Sequence, residues 1–343
     1  MGYRYSGRFR KVKGILWIKL IMDLTKNNSL NLKSKAAEFF LFESEEDLHK
    51  ILEYAQGLKK KVQAIGSGTN TIFPRNFLNI VIKSTNNNFK FSEEGKIAKL
   101  EVGAAVIWDD LIDFCCTKNL HGLENLAGIP GTVGAAPIQN IGAYGIEISQ
   151  LIDYVECFDM ELRIIRKIKN ENCDFAYRKS MFQSNNKLIV TAVGLNLDKE
   201  FNPVLNHESI QKKAFNKALD MIEEIRMIRN TKIPNPSDFP NLGSFFKNPI
   251  LNKKDANENQ RLNNLKRYEM PNEMIKFSAG EMLEKLSLKG MKIRNVGLSS
   301  KHALVLTTSG IVSAKDIKYV EDMLKNLVLD FYGVELEREP TYL

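Results

Sequence analysis

The sequence predicts a folded, soluble chain of mixed helices and strands, divided into two or three domains. Three observations predict it. Its 343 residues are 43% hydrophobic and 26% charged, with 21 Gly and 10 Pro, proportions of a globular protein rather than of collagen, a coiled coil or a disordered chain. Helix-period runs and strand-like runs both recur along the chain. At about 100–200 residues per domain the length suits two or three domains, with no need of disulfides to staple a core.

The elements follow in order. Ser44-Glu-Glu-Asp47 has the spacing of a capping box, with Asp in place of the usual Glu or Gln. Leu48, Ile51, Leu52, Ala55 and Leu58 recur after it at helical spacing. A strand over 61–65 runs straight into Gly66-Ser-Gly-Thr-Asn70, and strand-like stretches return at 80–82, 98–102, 152–158 and 188–195. The segment 206–232 is helical in its second half, through Ala218, Ile222, Ile225 and Ile228. Pro234, Pro236 and Pro240 end that helix and mark a domain boundary. The Asn/Lys-rich patch 252–267 reads as solvated loop. A last helix opens at Ser313, presents Ile317, Val320, Met323, Leu324, Leu327, Val328 and Phe331 on one face, and stops at Gly333. Residues 334–343 read as a terminal strand or extended segment, and the sequence shows no internal repeat.

Charge and cysteines exclude several functions. Of the net +8, residues 1–22 supply six through Arg4, Arg8, Arg10, Lys11, Lys13 and Lys19, with no acid among them. A nucleic-acid reader carries its basic excess on the folded domain, so a nucleic-acid partner is not expected. The apolar run at 14–18 is broken by Lys19 and is far short of the roughly 20 residues a spanning helix needs. No A-x-A-like cleavage site follows it before Asp23. Residues 1–22 are therefore expected to be a disordered extension, or to lie upstream of a start at Met22, with a basic amphipathic surface anchor as the rival reading. Cys115, Cys116, Cys157 and Cys173 form no C-x-x-C pair and no spacing with His that builds a zinc site. They read as reduced thiols of a cytoplasmic protein without a metal site.

Two glycine-rich stretches carry the chemistry. Gly66, Ser67, Gly68, Thr69 and Asn70 follow a strand, where glycine lets the backbone approach a phosphate and N–H groups form an anion nest. The pattern is neither G-x-G-x-x-G nor the Walker sequence, and alone a short Gly-Ser loop is more often a turn. The second stretch places Gly128, Gly131, Gly134, Gly142 and Gly145 among small residues over 128–145. Such a run suits the wrapping of a large polar cofactor such as a dinucleotide, whereas a tight crossover accounts for two glycines more easily than five.

The run from Gly122 to Glu147, GLENLAGIPGTVGAAPIQNIGAYGIE, resembles the FAD-binding segment of the UDP-N-acetylenolpyruvoylglucosamine reductase family. Further segments match the family in its order: 66–70, Tyr177-Arg-Lys-Ser-Met-Phe182, Gly243-Ser-Phe-Phe-Lys-Asn-Pro249, Ala279-Gly-Glu-Met-Leu283 continuing to Met291, and Leu336-Glu-Arg-Glu339. The resemblance covers about residues 30–343, and six motifs in order weigh more than any one.

The resemblance implies an α+β flavoprotein of the vanillyl-alcohol-oxidase type, with FAD-binding subdomains at 23–86 and 87–232. A substrate domain at 233–332 and a C-terminal strand at 333–343 returning to the active site complete it. It implies FAD as cofactor, held by 66–70 and by Gly128, Ile129, Pro130, Gly131, Thr132, Gly134, Ala135, Asn140, Gly142, Ala143, Tyr144 and Gly145. It implies NADPH as reductant and UDP-N-acetylglucosamine enolpyruvate as substrate, in the peptidoglycan-precursor chemistry that serves cell shape and division. Arg178 is expected at the enolpyruvyl carboxylate, Ser244 as proton donor and Glu339 as the polarising acid, with Glu337 as its fallback. Tyr177, Lys232 and Asn248 are expected to bind substrate, and His207 stands where the family's first subtype carries a loop tyrosine. Ala135 replaces a usual glycine and Pro340 a usual valine. A monomer is expected. The rivals are a flavin oxidoreductase of the same fold with another substrate, and a non-catalytic nucleotide-binding protein.

Overall fold

The computed structural model describes residues 10–12 and 16–343. The chain forms two compact units: one from Lys35–Ser67 and Asn76–Arg229 with the N-terminal strands up to Met22, the other from Asp23–Ser34, Gly68–Arg75 and Asn230–Leu343.

The first unit holds two five-stranded sheets. One runs in the order Arg10–Val12, Leu16–Asp23, Lys35–Phe42, Asn76–Ser84, Val62–Ala64, with the last three strands mutually parallel. Lys35–Phe42 and Val62–Ala64 are joined by the helix Glu45–Gly57, which is capped as its sequence predicts: Ser44 accepts from the Asp47 amide and Asp47 reaches back. That helix lays Leu48, Ile51, Leu52 and Ala55 against Phe40, Phe42, Ile80 and Ile82. The second sheet is antiparallel, in the order Ile164–Lys169, Ile152–Asp159, Leu188–Asp198, Ile97–Gly103, Phe89–Glu94. Trp108, Leu111, Ile112 and Cys115 of one helix and Met221, Ile222 and Ile225 of another share its core. Burial pushes the Cys115 and Cys173 thiols up to about 12, so these are inert packing groups.

The second unit pairs Asn241–Ser244, Val305–Thr308, Val296–Leu298 and Lys292–Ile293 in one sheet, and Ile250–Asn252, Met274–Phe277 and Arg267–Met270 in another. The helix Ala314–Tyr332 opens on a Ser313–Asp316 capping box and closes on Gly333 in the left-handed region (φ 66°). Leu30, Leu32 and Ile72 join its core, and Thr308 Oγ1 donates to Leu30 O at 2.8 Å. Thr341–Tyr342 adds a short parallel strand to Thr71–Ile72.

Four expectations change. Arg10–Val12 and Leu16–Asp23 are strands that pair antiparallel, where a disordered extension was expected; residues 1–9 and 13–15, the rest of that basic segment, lie outside the described residues. Residues 23–34 and 68–75, expected in the first FAD subdomain, pack with the C-terminal unit. The stretch 252–267 is not a plain loop. Asn252 Oδ1 caps a short helix, Lys253–Glu258, by accepting from Asp255 N at 2.8 Å, and Ala256, Leu262 and Leu265 are buried. On the last helix Phe331 is 60% exposed, while Glu321 is wholly buried.

Candidate active site

In the first unit the glycine-rich run folds as tight turns that present backbone. Gly128, Gly131 and Gly145 have left-handed φ of 72°, 142° and 92°, conformations that suit glycine. Asp109 Oδ1 accepts the Gly128 N–H at 2.7 Å, and Gly131 O accepts Trp108 N at 3.1 Å. Gly134 passes so close to Ala104 that an added Cβ would lie 2.5 Å from the Ala104 methyl. Asn140 has φ 46° and is fully buried. Its side chain donates to Ala176 O and Glu147 and accepts from Ser149 N, so that side chain shapes the run.

Arg178 is presented by a tight turn in which Ala176 and Lys179 exchange backbone hydrogen bonds at 3.0 Å. It sits at φ 52°, a strained position for a residue with a Cβ and one that marks functional sites. Its Nη2 donates to Gly142 O at 2.6 Å, and the Tyr177 ring lies 5.2 Å from its guanidinium carbon. Gly142 leaves the room: a Cβ there would stand 2.9 Å from Arg178 Nη1. Tyr144, also left-handed at φ 48°, meets the His207 ring edge-on at 5.1 Å. His207 Nδ1 accepts from Ser209 N at 3.2 Å, which places the proton of a neutral ring on Nε2. The structure thus gathers Arg178, Gly142, Tyr144 and His207, all read from the sequence.

Sequence reasoning missed Arg229. Its stem crosses Gly128, with Cδ 3.3 Å from where a Cβ would be, and its Nε is buried without a hydrogen-bond partner. Burial pushes its pKa down; Tyr144, Asp109 and Arg178 are close enough to act on it. Asp109 is engaged by Arg226 at 2.9 Å. No sequence signal marks Arg229, because an arginine on a helix is ordinarily solvated.

These residues fit FAD. Ser67 Oγ is buried with no partner, beside Gly66, whose missing Cβ would come within 3.0 Å of Thr132 Oγ1 and 3.4 Å of the Ala135 methyl. A hydroxyl, bare backbone and a buried arginine whose Nε has no hydrogen-bond partner are what an anionic dinucleotide recruits. Ala135, in place of a glycine, supplies one wall of that cradle.

In the second unit Ser244 ends the strand Asn241–Ser244, opposite Val305 across a bulge, after Gly243 at φ 72°. The C-terminal segment runs beside it. Glu339 N donates to Phe245 O at 2.8 Å, Lys247 N donates to Glu337 O at 2.8 Å, and Phe246 bridges Arg338. Ser244 and Glu339 are therefore brought together by adjacent backbone. Glu337 is 73% exposed, in an ion pair with Lys247 at 2.6 Å. Asn70 O accepts from Thr341 N at 3.1 Å, and Gly68 (φ 68°) lies so near Asn27 O that no side chain fits. Asn248 Oδ1 accepts from Ala279 N at 3.0 Å. Lys232 ends its helix and acts with burial to push the His302 pKa down, burial being the larger cause.

Comparison with known proteins decides the family. Residues 235–343 match the model of the UDP-N-acetylenolpyruvoylglucosamine reductase C-terminal domain, and residues 36–166 match an FAD binding domain. The UDP-N-acetylenolpyruvoylglucosamine reductase of Shewanella sp. (strain MR-7) is 37% identical over 289 residues, 82% of this chain and 84% of that one. The chain belongs to the UDP-N-acetylenolpyruvoylglucosamine reductase family. That of Neisseria meningitidis serogroup B (strain ATCC BAA-335 / MC58) is 32% identical over 337 residues, 95% of this chain and 97% of that one. The Thermus caldophilus UDP-N-acetylenolpyruvylglucosamine reductase structure superposes with a TM-score of 0.66 at 22% identity, covering 96% of this chain and 99% of that one; it shares the fold. The reductase-family chain is thus an FAD-containing oxidoreductase with the expected α+β architecture. No helix among the described residues is long and apolar enough to cross a membrane.

Proposed function

We propose that this chain reduces UDP-N-acetylglucosamine enolpyruvate to UDP-N-acetylmuramate with NADPH, as a step of peptidoglycan precursor synthesis in the cytoplasm. The observation that carries the reading is Arg178, held at φ 52° with its guanidinium on Gly142 O in the glycine-rich run. FAD, when bound, supplies a two-electron relay from nicotinamide to substrate. The substrate's enol ether is conjugated to a carboxylate, so hydride delivery to its β-carbon drives charge onto the carboxylate side. Arg178 meets that charge with a planar, permanently cationic fork. Glu339, in its protonated form, polarises the same group. Ser244 gives its hydroxyl proton to the α-carbon; a serine is a weak acid, and an enolate is the acceptor that makes the transfer feasible.

Lys232 and the Nε2–H of His207 suit the substrate diphosphate, and Asn248 suits the same substrate as a polar contact. NADPH and enolpyruvyl substrate act in turn, giving ping-pong kinetics, and the enzyme works as a monomer on small molecules alone. The test is turnover of the FAD-loaded protein with NADPH and the enolpyruvyl nucleotide, read by mass spectrometry. A product two hydrogens heavier supports the reading. Oxidation of NADPH with the nucleotide unchanged overturns it in favour of another substrate on the same fold.

A further inference from the structure

Glu321 is anomalous. It lies on the helix Ala314–Tyr332 with no exposed surface, on the face that buries Ile317, Val320, Leu324 and Val328. A carboxylate there is costly, and an apolar residue of similar volume would serve stability as well or better. Its two oxygens go to two partners. Oε1 takes Arg338 Nη1 at 3.4 Å and Oε2 accepts the Tyr342 hydroxyl at 3.0 Å. The Arg338 guanidinium also lies over the Tyr342 ring at 4.8 Å, and its Nε donates to Pro340 O at 3.1 Å. Lys318, one turn earlier on the helix, adds charge at 4.0 Å.

Arg338 and Tyr342 flank Glu339. Neighbouring side chains of an extended chain point to opposite faces, so tying Arg338 to the helix turns Glu339 to the other face, and Tyr342 fastens the chain again beyond the bend at Pro340. The backbone of Glu339 is meanwhile held to Phe245 O, the residue after Ser244. The segment is clamped on one side by backbone pairing and on the other by one buried acid.

We propose that Glu321 is a positioning residue for Glu339, acting through Arg338 and Tyr342 to fix the direction of that carboxyl beside Ser244. The proposal rests on the reading that Glu339 acts on the substrate. It assigns the helix acid a task in the second half-reaction, the oxidation of reduced enzyme by enolpyruvyl substrate, and none in reduction by NADPH.

The test is a double-mutant cycle on the FAD-loaded enzyme, with both half-reactions followed by flavin absorbance under anaerobic conditions. Misplacement of a reacting group by an ångström costs up to about 100-fold. Glu321→Met should therefore slow reoxidation by substrate between about 10- and 100-fold, leaving reduction by NADPH within twofold. In the Glu339→Gln background the same change should add nothing, because two groups that act as one unit are non-additive. Equal slowing in both backgrounds would mean a general structural effect and overturn the proposal, as would unchanged reoxidation in Glu321→Met. Tyr342→Phe removes only one hydroxyl and should slow the same half-reaction while reduction by NADPH stays within twofold; no slowing there overturns it too. If Glu339→Gln alone leaves reoxidation intact, the role of Glu339 falls first and the positioning proposal with it.

Discussion

Adding one methyl group at Gly142 would separate the part of the site that serves the substrate from the part that holds the cofactor. Gly142 is outside the left-handed region, so alanine is acceptable to the backbone and only space decides the outcome. The new Cβ would lie 2.9 Å from Arg178 Nη1, 2.9 Å from Ile146 O and 3.0 Å from Glu147 Cγ. Ile146 O belongs to the strand paired with Gly142–Ala143 and cannot retreat cheaply; the end of Arg178 can. The guanidinium should move off and lose its 2.6 Å bond to Gly142 O. A hydrogen bond from a charged donor is worth about 1.5–3 kcal/mol, which converts at 1.4 kcal/mol per tenfold to a loss of about 10- to 150-fold. The assay is anaerobic stopped-flow on Gly142→Ala with FAD retained. Reoxidation by enolpyruvyl substrate should fall by that factor, and reduction by NADPH should stay within twofold. Reoxidation at the wild-type rate, or equal loss in both half-reactions, would refute the assignment of Arg178 to the substrate.

Ser244→Ala should still let NADPH bleach the flavin but slow reoxidation by about 10²–10⁴-fold, the usual yield of a positioned acid; equal failure of reduction, with FAD bound, would contradict it. Gly134→Ala puts a Cβ 2.5 Å from the Ala104 methyl. It should cost about 1–3 kcal/mol by overpacking, read as a lower melting temperature, and an unchanged one would show that the crossover can yield. His302 has its pKa pushed below the usual 6.5, by burial first and by Lys232 second. The unfolded chain therefore takes up this proton before the folded one does, so this contribution to stability is present above about pH 6.5 and is lost as pH falls through and below it. The denaturation midpoint should drop less between pH 7.5 and 5.5 in His302→Gln than in wild type; equal drops would remove the group from the account.

Local rules were legible wherever one residue type has one physical use. Ser44 and Ser313 each begin a helix through a capping box, and Gly333 ends one in the left-handed region. Gly128, Gly131 and Gly145 turn where the backbone needs positive φ. The patch 252–267 was misread because its polar composition hides three buried apolar residues, Ala256, Leu262 and Leu265, at spacings too irregular for a period. Segments 23–34 and 68–75 are short, and which unit buries Leu30 or Ile72 is decided by chain topology rather than by local pattern. Glu321 was invisible for the opposite reason: helical periodicity counts apolar residues and passes over an acid on the same face. Arg178, Ser244 and Glu339 were singled out through their motif contexts; taken singly, each resembles a surface group. Arg229 escaped because a helical arginine is ordinarily solvated, and only burial against Gly128 distinguishes it.

The central claim is tested most directly by one absorbance experiment on the FAD-loaded protein under anaerobic conditions. The flavin spectrum should bleach on addition of NADPH and return on addition of UDP-N-acetylglucosamine enolpyruvate. A flavin that bleaches and stays bleached with that nucleotide would contradict the proposed reductase reaction.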